Sequence, residues 1–102
     1  MILFIDDQKE VSWYNLPNNT PIARTLKDAY SLCQKCKFDI LYLDHDLGED
    51  KEFIDGSIFL QKLCLNFYIP KQVYCISLNS IGIKRIKDVC TDFKINFELV
   101  KH

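Results

Sequence analysis

The chain has 102 residues, 48% hydrophobic and 26% charged, with a formal net charge of −1. That suits one domain, residues 1–102, burying roughly two thirds of the surface its unfolded chain exposes. It excludes a low-complexity linker, since glycine and proline number three each, and a polycation made for duplex DNA.

Residues 2–5, ILFI, form an apolar run that stops at Asp6 and Asp7, as a buried parallel strand entering a loop does. Residues 8–20 hold Trp13, Pro17 and the pair Asn18 and Asn19, which predicts a loop with at most one helical turn. Residues 21–25, PIART, are a short strand candidate. Thr25 then caps a helix running to about Lys37, with Asp28 in a capping-box-like place. Leu26, Ala29, Tyr30 and Cys33 form its apolar stripe.

Residues 39–43, DILYL, predict a second buried strand, ending in Asp44, His45, Asp46, Leu47 and Gly48. An acidic loop over 48–52 leads to a helix over 54–67, which Pro70 terminates. QVYCI at 72–76 is a further strand running into Ser77, Leu78 and Asn79. A helix over 80–92 and a last strand over 95–100 complete the chain. Strands alternating with helices imply right-handed βαβ units in a five-stranded parallel α/β sheet.

Five cysteines fit a reducing, cytoplasmic setting. Cys33 and Cys36 form C-x-x-C, but on an amphipathic stretch where a structural role is expected. No apolar run reaches the ~20 residues of a membrane span. The beginning, MILFIDDQKE, turns acidic too soon for a secretory signal.

The chemistry concentrates at strand ends. Ligands of open parallel sheets sit outside the carboxyl ends, near a topological switch point. Asp6 and Asp7, Asp44 to Asp46, and Ser77 with Asn79 all fall at such ends. Neighbouring strands lie ~4.8 Å apart. Carboxylates from two of them repel unless one is protonated or a cation sits between. Mg²⁺, or Mn²⁺, suits hard oxygens and keeps waters for a phosphate to replace. Each residue also has a plainer reading. An Asp-Asp pair can be a turn, Asp55 a helix cap, His45 a loop histidine, and Arg24 either a phosphate fork or a surface ion pair.

The first strand with Asp6 and Asp7, the strand ending in Asp44, the pair Asp55 and Gly56, and Ser77 resemble the receiver domain of response regulators. Further text narrows the resemblance. Ala23-Arg24-Thr25, Leu43-Asp44-His45-Asp46-Leu47-Gly48 and Ser77-x-Asn79-x-x-Gly82 are similar to the branch called cyclic-phosphate processing receiver domains. The resemblance implies a flavodoxin-like three-layer domain, and this sequence departs from the receiver pattern in that its first and last helices are reduced or missing. It implies Mg²⁺ at Asp6, Asp7 and Asp44, with Asp44 able to accept a phosphoryl group and Ser77 contacting it. Lys101 is the candidate for the family's lysine after the last strand.

Two functions follow as expectations. One is metal-dependent processing of a cyclic phosphate on a nucleotide or RNA end. There His45 moves a proton, Ser77 and Asn79 donate to phosphoryl oxygens, and Arg24 and amides near Gly82 bind the anion. Asp46, Asp55 and Lys101 are secondary candidates, and Trp13 or Tyr14 stacks on a base or packs in the core. The other is a signalling or phospho-ligand-binding domain with Asp44 as phosphoacceptor. Neither expects duplex DNA or a membrane as partner, and the sequence points to no particular protein partner.

Overall fold

A computed structural model describes residues 1–47 and 52–101. The elements in chain order are β1 (Ile2–Ile5), a 3-10 turn (Val11–Tyr14), β2 (Ile22–Ala23), α1 (Leu26–Lys35), β3 (Ile40–Leu43), α2 (Gly56–Asn66), β4 (Gln72–Cys75), α3 (Ser80–Phe93) and β5 (Asn96–Leu99). Gly48 and the rest of 48–51 lie outside the described residues.

The five strands form one parallel sheet in the order β2-β1-β3-β4-β5. From β1 the chain steps outward to β2, then crosses back over β1 to β3. The switch point therefore lies between β1 and β3, where a crevice opens beyond the strand ends. Register sets what meets there. Ile5 pairs with Leu43, and Leu43 with Cys75. The next residues, Asp6, Asp44 and Ile76, thus leave the sheet at one level.

Alternation along the strands divides the core. Leu3, Ile5, Leu41, Leu43, Val73 and Cys75 are fully buried in a cluster that also takes Leu26, Ala29 and Cys33 of α1, Phe59, Leu60 and Leu63 of α2, and Ile86 and Cys90 of α3. A Leu, Ile or Phe side chain so buried stabilises the fold by about 1.5–3 kcal/mol. The opposite face is covered thinly. Phe4, Val11 and Ile76 form its buried centre, with Tyr14, Leu16, Ile22, Tyr42 and Val100 packed around them. The first helix is reduced to the turn Val11–Tyr14, and among the described residues no helix follows β5. The third layer is a loop.

Local chemistry sets the helix starts. Thr25 accepts the Asp28 amide at 3.1 Å, Asp55 accepts those of Ser57 and Ile58, and Asn79 those of Ile81 and Gly82. Because Asp55 caps it, α2 starts at Gly56 rather than at residue 54. At the other end α1 stops at Lys35, because Cys36 turns to extended backbone. The C-x-x-C pair is unbonded, with Cys33 buried in the core and Cys36 exposed.

Candidate functional site

Asp6 sits one residue past β1 and is 1% exposed. Its Oδ1 accepts the amides of Gln8 at 2.8 Å and Lys9 at 2.7 Å, which folds the chain into a turn. Its Oδ2 is buried without a hydrogen-bond partner. Asp44 leaves β3 beside it, with its amide on the Ile5 carbonyl at 3.1 Å and its Oδ1 accepting the His45 amide at 2.8 Å. Burial, then the charge of Asp6, pushes the Asp44 carboxyl up to about 6. Asp7 is exposed, yet one ligand atom from each of Asp6, Asp7 and Asp44 lies within 4.8 Å of the others. An unsatisfied buried carboxylate oxygen is costly. Three hard oxygens around one point fit a divalent cation such as Mg²⁺ or Mn²⁺.

A second acidic group stands behind the first. His45 is 6% exposed. Its Nδ1 lies 2.9 Å from Asp46 Oδ1, and its Nε2 lies 3.3 Å from Asp55 Oδ2 without forming an aligned hydrogen bond. Asp55 also accepts from the Ser57 hydroxyl and meets Arg85 at 3.4 Å. Burial alone would raise the Asp55 carboxyl. The bonds from Ser57 and Ile58 and the charge of His45 outweigh it and leave the group below its usual value. Two glycines let the segments close. A Cβ on Gly82 would lie 2.4 Å from the His45 ring, and one on Gly56 would lie 2.3 Å from the Asp44 carbonyl oxygen.

The profile of the cyclic-phosphate processing receiver domain matches residues 1–92. The chain belongs to that family. Solved structures share the fold at low identity. The N-terminal domain of an uncharacterized protein from Wolinella succinogenes aligns at TM-score 0.70 and 14% identity, over 98% of this chain and 78% of that one. Chemotaxis protein CheY4 of Vibrio cholerae aligns at 0.62 and 16%, over 97% and 83%. The RcsB response regulator of Salmonella typhimurium aligns at 0.68 and 15%, and there the match spans 98% of this chain but 50% of the other. No curated protein matches in sequence.

The remaining expected residues of this receiver domain divide sharply. Arg24 is committed to its own loop. It donates to the carbonyls of Lys9 at 2.6 Å and Asp6 at 3.3 Å, and pairs with Glu10 at 3.4 Å. Of its two readings from sequence, the ion pair is the one that the contact with Glu10 matches. The Ile81 and Gly82 amides, expected to receive an anion, already bond Asn79 Oδ1. Asn79 Nδ2 reaches Asp46 at 3.3 Å. Ser77 is buried beyond β4, and its Oγ accepts the Asn79 amide at 3.1 Å. Lys101 is exposed beyond β5, and no described contact brings it to the carboxylates. Trp13 is 45% exposed, while Tyr14 packs beside Phe4 with ring centres 5.7 Å apart.

Sequence reasoning missed Lys9. Its Nζ donates to the Ile76 carbonyl at the end of β4 and stands 3.8 Å from Asp6 Oδ2. The available signal was its spacing. A lysine three residues after a strand-end aspartate returns over that aspartate when the aspartate caps the turn. Among the described residues no helix is long and apolar enough to cross a membrane.

Proposed function

We propose that this domain binds Mg²⁺ or Mn²⁺ through Asp6, Asp7 and Asp44 and there processes a cyclic phosphate carried by a nucleotide or an RNA end. The observation that carries the reading is the buried Asp6 Oδ2, which has no hydrogen-bond partner, within a group of three converging carboxylates. The family description supplies the substrate class. When bound, the cation supplies positive charge to phosphoryl oxygens. The chain's own residues do the rest. Asp6 and Asp44 orient the site from two rigid strand ends. Ser77 already accepts the Asn79 amide, so its hydroxyl hydrogen is left to donate to a phosphoryl oxygen.

One observation favours a second reading, in which Asp44 accepts a phosphoryl group or the domain only holds a phosphorylated ligand. The sequence predicts proton transfer by His45, whereas its ring is buried between Asp46 and Asp55. That position suits holding the loop in place better than meeting a leaving group.

A panel of 2′,3′-cyclic and 3′,5′-cyclic nucleotides with Mg²⁺ or Mn²⁺, run on wild type and Asp44→Asn, tests the first reading. Turnover lost in the variant supports it. No turnover by wild type removes it. Acetyl phosphate with Mg²⁺, read by intact mass, tests the second. A single stable adduct absent from Asp44→Asn supports phosphoacceptance.

A further inference from the structure

The position of Lys9 defines a role that rests on the metal-site reading above. Its backbone is fixed on both sides. The amide donates to Asp6 Oδ1 at 2.7 Å, and the carbonyl accepts from Arg24 at 2.6 Å. Its side chain starts beyond β1 and ends on the Ile76 carbonyl beyond β4. In the sheet, β3 lies between those two strands. The stem therefore bridges the end of β3, where Asp44 emerges. The ammonium stands 3.8 Å from Asp6 Oδ2, and Asp6 is one of the three carboxylates that converge there with Asp44.

The tip is held less firmly than the base. Its one described hydrogen bond is to a carbonyl, and its approach to Asp6 Oδ2 is a 3.8 Å ion pair without a hydrogen bond. The other basic candidates are placed differently. Arg24 is spent on two carbonyls and Glu10, and Lys101 is exposed past β5.

We propose that Lys9 is the resident counter-ion of the carboxylate site and its anion-facing cation. Its ammonium lies across Asp44, gives way when a divalent cation takes the carboxylates, and then contacts a phosphoryl oxygen of the ligand. Such a group opposes metal binding, because two cations compete for the same oxygens. It favours the anion, because the metal alone does not neutralise a phosphoryl group and three carboxylates together.

These two effects have opposite signs, which a residue that merely braces the loop does not produce. The test titrates Mg²⁺ into wild type, Lys9→Met, Lys9→Gln and Lys9→Arg by calorimetry. It then titrates beryllofluoride, a phosphoryl mimic, at saturating Mg²⁺ and follows the bound ¹⁹F signal. Lys9→Met should bind Mg²⁺ about tenfold tighter and beryllofluoride about tenfold weaker, the scale of one charge contact. Lys9→Arg should stay near wild type in both. Lys9→Gln keeps a donor for Ile76 without the charge, and it should follow Lys9→Met if that variant folds poorly. Lys9→Met and Lys9→Gln weaker in both titrations, or unchanged in both, would overturn the proposal. So would wild type that takes Mg²⁺ but no beryllofluoride. Wild type that binds no metal defeats the metal site itself, and this inference with it.

Discussion

Two groups of carboxylates, linked through the consecutive residues Asp44 and His45, differ in one respect. Asp55, beside His45, has partners for its charge: two amides, a hydroxyl, an imidazole and Arg85. Asp6 and Asp44 have too few, and one buried oxygen has no hydrogen bond. The Asp55 carboxyl is held below its usual range and the Asp44 carboxyl is pushed above it. Proximity of acids does not distinguish a binding site from a brace. The supply of donors does.

The largest way to break the comparison is Asp44→Asn. Metal affinity should fall by about 100-fold or more, since loss of a ligand exceeds the effect of its outer-shell partners. The apo protein should become more stable at neutral pH, because the repulsion from Asp6 is gone. A calorimetric titration and a thermal melt read the two effects. Equal metal affinity in the variant would mean that the two aspartates do not share an ion.

Next in size is the brace. His45→Ala should destabilise the fold by about 2–3 kcal/mol, a drop in Tm of roughly 10 °C or more, because it leaves the buried Asp55 carboxylate facing a void. Gly82→Ala alone should cost about 1–3 kcal/mol through its clash with the ring, even though alanine is the better helix former. In the His45→Ala background the same change should be neutral or stabilising. That reversal in a double-mutant cycle would sharpen the assignment. Simple additivity of the two losses would contradict it.

The pH profile separates the regions without mutation. Asp44 has a raised folded pKa of about 6 against an ordinary 3.8. The folded apo state therefore binds more protons than the unfolded one between those values. Its stability falls as pH rises through that window. Asp55 has a lowered folded pKa. Its contribution is present above 3.8 and disappears as pH falls through the folded value. Melts across this range should show both slopes, and saturating Mg²⁺ should remove only the upper one. The smallest effect belongs to Arg85, whose side chain is 59% exposed. Arg85→Ala should change stability by about 0.5 kcal/mol or less in a denaturant titration.

Much of this arrangement was legible in the sequence. ILFI before Asp6 and DILYL before Asp44 located two central strands, and parallel pairing then brought their ends level. The capping residues Thr25 and Asp55 marked two helix starts. What stayed hidden depends on contacts between distant segments. In sequence His45 stands between Asp44 and Asp46. In space its other nitrogen faces Asp55, ten residues on, and its ring packs against Gly82. Arg24 reads as an exposed arginine in sequence, whereas in space the loop over 8–20 meets it through the Lys9 carbonyl and Glu10. Lys9 attracted no notice because its importance comes from the turn at Asp6 and from β4, which no local pattern connects.

The two oxygens of Asp6 share one side chain but have separate duties. Oδ1 is fastened to the amides of Gln8 and Lys9. Oδ2 is consequently aimed before any ion arrives, and the freedom of the carboxylate to rotate has been surrendered on folding rather than on binding. An asparagine at this position can keep its oxygen on the turn while presenting an amide nitrogen where a ligand oxygen is needed. Asp6→Asn thus dissects the residue by atom, keeping the hinge of the loop and reversing the polarity of the group that faces the ion.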